Sequence, residues 1–256
     1  MIWSASAINK YAVAAKDGQM GSVSDFLFDD VHWKVRWLVI DINDQVDARK
    51  VIVPINVLGR PDQDRRLLTV DLTREQIEAS PAVGSHGPVG RDIEANAAEY
   101  YGESPYWGAG YLGGYHAQWA STPFPVADAA REREAAETQL DKYNPSLRSF
   151  ELLSGYHVEG RDGDIGHVED FLVDDTDWTI RFLVVDTRNW WAGKRVLVSP
   201  GSVVEIDWQE KMVSLDADRD MVKGSPAYEP SNTIDDAWAD QVHRHYGIWP
   251  AAPASR

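Results

Sequence analysis

Apolar and polar residues are arranged alike in two stretches of the chain, residues 22–42 and 167–187. Each stretch has two runs rich in Val, Ile, Phe and Trp, and a pair of aspartates separates the runs. Runs of β-branched and aromatic residues interrupted by turn-forming residues are typical of paired strands. The pattern therefore predicts one β-hairpin in each stretch, with an acidic turn at Asp29-Asp30 or Asp174-Asp175.

Both hairpins lie within a longer internal repeat. Residues 17–81 align with residues 162–226 at an offset of 145, without a gap. The identical pairs include Asp17/Asp162, Gly18/Gly163, Gly21/Gly166, Asp25/Asp170, Asp29/Asp174, Trp33/Trp178, Arg36/Arg181 and Asp41/Asp186. A repeat of this size predicts that the chain arose by duplication and contains two domains of similar fold.

Further short strands are expected around each hairpin. In the first copy they lie near residues 11–14, 51–53 and 67–72, and the second copy has matching runs. Asp17-Gly18, like its counterpart, is a tight-turn signal. About six short strands, with turn signals every 8 to 12 residues, are typical of a small closed barrel. We therefore predict a mainly β chain with two small barrels of about six strands each.

Short helices are expected after each barrel. Thr73 and Gln76 have the spacing of a capping box, in which each side chain satisfies a free backbone donor of the other residue. Ile93, Ala97 and Tyr101 follow at a spacing of four and predict one apolar helix face, which should pack on the barrel of its own copy. The second copy repeats this spacing with Trp238, Val242 and Tyr246.

The repeat divides the chain into three parts. The first copy with its helix covers residues 1–102, a connecting segment covers residues 103–146, and the second copy with its helix covers residues 147–256. The connecting segment begins with glycines interleaved with aromatic residues, and then becomes charged and rich in alanine. Residues 128–140, in its charged and alanine-rich part, predict a helix.

Aromatic residues in two places are candidates for an interface. Glycines make the connecting segment pliable while its rings favour burial, so it either packs on the same chain or binds a partner. A loop of the second copy holds two adjacent tryptophans, which either cap the barrel or anchor an interface. The candidate interface residues are Tyr106, Trp107, Tyr111, Tyr115, Trp190 and Trp191.

Composition and charge restrict the classes of partner that the chain is expected to bind. The 256 residues carry a formal net charge of -16, which repels nucleic-acid phosphates and anionic lipid heads. Apolar runs are far shorter than the ~20 residues that span a bilayer, and the first residues do not resemble a secretory signal. The chain has no cysteine, which excludes disulfides and thiolate metal sites. We expect a cytoplasmic protein that binds neither nucleic acid nor membrane directly.

The repeated carboxylates are the strongest candidates for chemistry. Several of them converging in a cleft could act as an acid-base pair or hold a hard cation. Aspartates in hairpin turns, however, commonly bond nearby backbone donors. With a two-residue turn, Asp25 would face Arg36 and Asp170 would face Arg181, and these ion pairs would hold the strand register. We favour turn or ion-pair roles for the residues Asp25, Asp29, Asp30, Arg36, Asp170, Asp174, Asp175 and Arg181.

Other signatures of catalysis or cofactor binding do not fit. The stretch that begins at Asp216 resembles a calcium loop, but it has Met221 where glycine is needed and Ala227 where glutamate is needed. His243 and His245 are two residues apart, so they would point to different sides of a helix. The sequence contains no nucleophile elbow, phosphate loop or zinc-protease motif. We predict no catalytic residues, no metal ligands and no cofactor.

One pattern resembles a known family. Residues 155–175 read G-Y-x-V-x-x-x-D-G-x-x-G-x-V-x-D-F-L-x-D-D, followed by W-x-x-R-x-L-V-V-D and V-L-V-S-P. This resembles the PRC-barrel family, named after the cytoplasmic part of the photosynthetic reaction-centre H subunit and also found in ribosome-maturation factors. The first copy is similar, although Lys10 replaces the glycine before the tyrosine. The resemblance implies two tandem barrels of a family that acts mainly in docking.

These observations predict a non-enzymatic tandem PRC-barrel protein that binds another protein or its own kind. Two alternatives are open. One is an accessory factor of a photosynthetic or other membrane complex. The other is a divalent-cation-binding protein or metal-dependent enzyme that uses the duplicated carboxylates.

Overall fold

The computed structural model describes most of both copies. The described residues are 1–44, 47–83, 89–103, 147–187, 194–229 and 236–247. They form a mainly β structure with two sheets, as the sequence predicts. No helix among them is long and apolar enough to cross a membrane.

Fifteen strands are described in the two sheets. They are β1 (Ile2–Ser4), β2 (Ala12–Ala15), β3 (Gly18–Asp29), β4 (Lys34–Asp44), β5 (Asp47–Pro54), β6 (Leu58–Asp62), β7 (Leu67–Val70), β8 (Ala82–Val83), β9 (Arg148–Ser149), β10 (His157–Gly160), β11 (Gly163–Asp174), β12 (Ile180–Asp186), β13 (Arg195–Val198), β14 (Val203–Asp207) and β15 (Met212–Leu215).

The described α-helices are short and lie between or after the strands. They are α1 (Ala5–Ile8), α2 (Arg74–Glu78), α3 (Arg91–Tyr101), α4 (Phe150–Leu153), α5 (Arg219–Gly224) and α6 (Asp236–His245). The helix predicted for residues 128–140 lies outside the residues that the structure describes. The capping box at the start of α2 is confirmed, because Thr73 Oγ1 accepts from Gln76 N and Gln76 Oε1 accepts from Thr73 N. Asp218 caps α5 by accepting from Met221 N at 2.7 Å.

Six strands follow the same order in both sheets, and the first sheet has β8 in addition. The order runs β6-β7-β2-β3-β4-β5-β8 in the first sheet and β14-β15-β10-β11-β12-β13 in the second. Neighbouring strands are antiparallel except for the pairs β2–β7 and β10–β15. Each sheet also receives one short strand from outside this path, β9 in the first sheet and β1 in the second.

The prediction of closed barrels is wrong for the described strands, since neither sheet closes on itself. Closure would require β5 to pair with β6, and β13 with β14. Instead, β8 occupies the outer edge of β5, with Ala82 opposite Val51. In the second sheet Ala227 bridges to Val196 on the corresponding edge. The segment that follows each copy's short helix therefore takes the edge that would close the barrel.

Both predicted hairpins are confirmed, but their turns are longer than two residues. In the first hairpin Asp29 pairs with Lys34, which leaves four residues in the turn. Trp33 and Trp178 end the two turns in a left-handed conformation, with φ of 53° and 58°. This wider turn and a further register shift between Leu27 and Phe28 together place Asp25 opposite Val39.

A continuous hydrophobic core joins the two sheets. Aromatic rings from both copies meet at its centre, where the Phe28 and Phe171 centroids are 5.9 Å apart and Phe26 lies 5.8 Å from Trp178. The apolar face of α3 packs on the first sheet through Ala97, as predicted. In the second copy the Trp238 ring of α6 contacts Phe182 edge-on at 6.3 Å.

Candidate functional site

Each sheet receives a short segment from the beginning of the other copy. Strand β1 pairs with β11, with Ser4 opposite Leu172. Strand β9 pairs with β3, with Ser149 opposite Leu27. We call residues 2–8 the first arm and residues 147–153 the second arm. The first arm thus lies on the second sheet and the second arm on the first, in a reciprocal exchange.

The local sequence explains the shape of each arm. A short strand is followed at once by one helical turn, α1 or α4, and a serine forms the N-cap in both. Ser4 Oγ accepts from Ala7 N at 3.2 Å, and Ser149 Oγ accepts from Leu152 N at 3.0 Å. Serine is favoured at this position because its hydroxyl satisfies a backbone donor that the helix leaves free.

Asp25 of the first sheet and Asp170 of the second sheet bind the N-terminal ends of these same helical turns. The Ser149 hydroxyl donates to Asp25 Oδ2, and Glu151 N donates to Asp25 Oδ1 at 3.1 Å. The Ser4 hydroxyl likewise donates to Asp170 Oδ2, and Ser6 N donates to Oδ1 at 3.0 Å. Each aspartate therefore satisfies a second free N–H and fixes the incoming arm.

The predicted ion pairs Asp25–Arg36 and Asp170–Arg181 are wrong. Arg36 Nη2 instead donates to Asp29 Oδ2 at 2.6 Å, and Arg181 Nη2 donates to Asp174 Oδ2 at 3.0 Å. The physical reason is that both turns are longer than two residues and that a register shift lies beside each turn, so each arginine lies beside the aspartate that begins its turn. Each arginine thus pairs with the aspartate that begins the turn of its own hairpin. Asp25 and Asp170 remain available to the arms.

The turn aspartates also bond backbone donors, as expected for this position. Buried Asp29 accepts from Val31 N at 3.0 Å and from His32 N at 2.8 Å. Burial would raise the pKa of Asp174, but hydrogen bonds from Thr176 and Arg181 outweigh this effect and hold its pKa below the ordinary value. These contacts hold the hairpin turns together, and in Asp174 they favour the charged carboxylate.

The next aspartate of each turn also contacts an arm. Arg148 Nε donates to Asp30 Oδ2 at 2.6 Å, and Trp3 Nε1 donates to Asp175 Oδ2 at 3.0 Å. Trp3 and Arg148 are equivalent positions of the two arms at the offset of 145. The arms were not predicted, although Ser4 and Ser149 align at the same offset and could have extended the repeat.

The environment of Asp25 differs from that of an exposed carboxylate. Burial raises its pKa to about 6, although the hydrogen bonds from Ser149, Glu151 and Phe26 act in the opposite direction. The negative charge of Glu151 adds to the increase. The fold therefore holds this carboxylate where ionisation is costly.

The arms and hairpins together border a cavity of about 200 Å³. Most of its lining residues form pairs at the offset of 145, so the cavity lies where the two copies meet in equivalent ways. These pairs are Ala5/Phe150, Ser6/Glu151, Asn9/Ser154, Ser24/Glu169, Asp25/Asp170 and Phe26/Phe171, and Val23 also lines the cavity.

The other candidates for chemistry lie apart from this cavity. Within the described ranges, no group of three His, Asp or Glu side chains could hold a metal ion. His245 contacts the Met221 carbonyl oxygen at 2.7 Å, while the His243 ring packs on Phe182 at 5.0 Å. These two histidines therefore have separate surroundings, as their spacing predicts. The candidate interface residues Tyr106, Trp107, Tyr111, Tyr115, Trp190 and Trp191 lie outside the described residues.

A comparison with known families identifies part of the chain. Residues 151–222 match the family model of the PRC-barrel domain. The matched segment extends from α4 to α5 and includes all strands from β10 to β15. No curated protein matches the chain.

Proposed function

We propose that the chain is a non-catalytic tandem PRC-barrel protein that arose by duplication and acts as a cytoplasmic module for protein-protein interaction or self-assembly. The sequence repeat and the shared order of six strands in the two sheets support two copies of one unit. The family match over residues 151–222 supports the assignment of the second copy. The first copy is assigned by its repeat relation to the second.

The reciprocal exchange of arms is the observation that carries this proposal. The repeated aspartates are the strongest candidates for catalysis, but their carboxylate oxygens accept hydrogen bonds from donors of the same chain. Asp25 and Asp170 hold the arms, while Asp29 and Asp174 hold turn residues and arginines. This use of the carboxylates favours a fixed scaffold with loops on its surface, which suits binding better than acid-base chemistry.

The charge of the chain indicates what kind of partner fits. At a net charge of -16 the chain attracts basic surfaces and repels acidic ones beyond direct contact. We therefore expect a heterologous partner to be a basic protein. Self-assembly would instead require contacts strong enough to overcome this repulsion.

Light scattering on a sizing column and affinity capture together test the function. We expect either a mass above that of one chain or a specific partner that is retained in physiological salt and lost in high salt. An unrelated protein of equal acidic charge serves as the control for charge alone. A monomer that retains nothing beyond this control would contradict the proposal.

Calorimetric titration tests the alternative of a cation-dependent protein. Calcium, magnesium and manganese should each give flat traces, because the repeated aspartates are engaged by donors of the chain. A saturable heat that disappears when Asp25 or Asp170 is replaced by asparagine would favour the cation-binding alternative.

A further inference from the structure

The strand order of each sheet ends on one side in a strand of five residues, β6 in the first sheet and β14 in the second. Among the described strands, β6 pairs only with β7 and β14 pairs only with β15. The outer side of such a strand exposes backbone N–H and C=O groups, with which a further strand can pair. The two edges are therefore compared residue by residue.

In the second sheet the backbone of Ile206 faces the open edge. His157 N donates to Lys211 O at 2.9 Å in the parallel pair of β10 and β15. Hydrogen-bonding groups alternate between the two sides of a strand, so Val213, two residues after Lys211, also directs its N–H and C=O towards β10. Ile206 lies opposite Val213 in the pair of β14 and β15. These two residues form a non-hydrogen-bonded pair, and Ile206 directs its own N–H and C=O away from β15.

In the first sheet the equivalent position is blocked. The same bonding pattern holds there, because Ala12 N donates to Arg66 O at 2.9 Å and Leu68 lies opposite Pro61. Pro61 aligns with Ile206 at the offset of 145, and proline has no N–H to donate. Proline at an edge strand is one of the common protections against an added strand. The second copy lacks this protection, so only its edge presents an N–H at this position.

The side chains of β14 indicate the charge of a fitting partner. Ile206 packs against the hydrophobic core, so its neighbours Glu205 and Asp207 lie on the other face of the sheet. Glu205 is exposed. In the first sheet the aligned residues are Arg60 and Asp62, which carry opposite charges. The outer face of the edge is therefore acidic in the second sheet and mixed in the first.

This charge also decides between two kinds of occupant. Two β14 strands of separate molecules that exchange hydrogen bonds at Ile206 would place Glu205 opposite Asp207 twice, and like charges in opposite positions are destabilising. A strand with basic residues at these positions gives favourable pairs instead. We propose that β14 binds an extended segment of a basic protein partner as an added strand, in which basic residues alternate with apolar ones. This inference rests on the proposed function and assigns it a docking position.

Titration of the full chain with a short peptide tests the edge. The probe is acetyl-Val-Arg-Val-Arg-Val-amide, whose central valine can exchange both backbone hydrogen bonds with Ile206. The control peptide has N-methylvaline at the centre, which keeps the charge but removes the donor. Two-dimensional amide NMR should show rapid solvent exchange of Ile206 N–H in the free chain and slower exchange after the probe binds. We expect the control peptide to bind about ten-fold more weakly.

Two variants of the chain locate the binding at β14. Ile206→Pro copies the first sheet, removes the outward N–H and should weaken binding about ten-fold. Glu205→Lys changes an exposed side chain, so it remains informative if Ile206→Pro does not fold, and it should weaken binding about three-fold. Glu159→Lys is the control, because it makes the same change of charge at an exposed position of β10, which has a strand on both sides. It should leave binding unchanged.

The outcomes separate this edge from the proposed function. Protection of Ile206 N–H in the free chain, equal affinity for both peptides, or equal affinity of Glu205→Lys and Glu159→Lys would each overturn the inference. If the probe does not bind but the chain still captures a partner or self-associates, the edge assignment is wrong and the function stands. If the probe binds at β14 but the chain remains a monomer without a partner, the proposed function is wrong, and with it the assignment of a protein partner.

Discussion

The two arms are equivalent in backbone geometry and different in chemistry. The helical turn of each arm begins with a serine N-cap that donates to an aspartate of the sheet on which the arm lies. Two residues later the first arm has Ser6, whose hydroxyl donates to Asp170 Oδ2 at 2.6 Å, whereas the second arm has Glu151. One arm thus adds a hydrogen bond to its aspartate, and the other adds a like charge.

The anchors of the two arms differ in the same way. Phe150 inserts a buried ring among the rings of the core, where the first arm has only the methyl group of Ala5. Arg148 makes an ion pair, where the first arm uses the indole of Trp3. The backbone exchange is thus the feature that both arms share, while each arm obtains its stability from different side chains.

Removal of the Phe150 ring should have the largest effect. Phe150→Ala should lower the free energy of unfolding by about 3 to 5 kcal/mol, because a buried ring is lost and a cavity remains. Urea denaturation followed by tryptophan fluorescence measures this change. Leu152→Ala, at an exposed position of the same arm, is the control and should cost under about 1 kcal/mol. Equal losses in both variants would contradict the anchoring role of Phe150.

The pH dependence of the free energy of unfolding should reveal the raised pKa of Asp25. In the folded chain Asp25 keeps its proton up to a pKa of about 6, whereas its ordinary value is 3.8. The folded state therefore binds this proton more tightly, so the stability from this group is greatest below pH 4. It should fall by about 3 kcal/mol at most as the pH rises to 6, and then level off.

The measurement is the difference in free energy of unfolding between the wild type and Asp25→Asn from pH 4 to pH 7. The variant should lack this decline, so it should gain stability relative to the wild type as the pH rises. A difference that stays constant with pH would show that Asp25 has an ordinary pKa.

Removal of the polar anchors, Arg148 and Trp3, should lower the free energy of unfolding by a smaller amount. Arg148→Met removes a partly buried ion pair with Asp30 and a guanidinium that lies 4.2 Å from the Trp208 ring centroid, and should cost about 2 kcal/mol. Trp3→Phe removes one hydrogen bond to Asp175 and should cost about 1 kcal/mol. Thermal unfolding of both variants compares the two. A larger loss in Trp3→Phe would reverse the assigned order of the anchors.

Exchange of the residues beside the aspartates should have the smallest effect. Glu151→Ser should lower the pKa of Asp25 and stabilise the chain at pH 7 by under about 1 kcal/mol, since a donor replaces a like charge. Ser6→Glu should destabilise the first arm by a similar amount. Carbon-13 NMR of the Asp25 carboxyl group follows the pKa directly. An unchanged pKa in Glu151→Ser would show that this neighbour is not responsible.

Local sequence signals predicted the elements well. The hairpins, the capping box at Thr73 and the apolar helix face at Ala97 all follow from short-range patterns, and the structure contains them. The turn length could not be predicted, because it depends on the left-handed conformation of Trp33 and Trp178, which tryptophan rarely adopts. The longer turn and the register shift beside it together explain why Asp25 was assigned to the wrong partner.

Features that depend on contacts between distant parts of the chain could not be predicted from local patterns. The closure of the sheets depends on which segment reaches the β5 and β13 edges, and two or three residues after a helix carry little signal. The arms are similarly short, so alternation within them predicts no particular sheet. Only the alignment of Ser4 with Ser149 at the offset of 145 could have related the two arms before the structure was known.

Proton-proton distances across the arm strands test the central claim most directly. Nuclear Overhauser spectroscopy of the labelled chain should show close contacts between Ser4 and Leu172 and between Ser149 and Leu27. Dilution with unlabelled chain should leave these contacts unchanged if each exchange occurs within one molecule. Contacts of Ser4 with Leu27 or of Ser149 with Leu172, which are the equivalent strand pairs within one copy, or the absence of both predicted contacts, would contradict the reciprocal exchange.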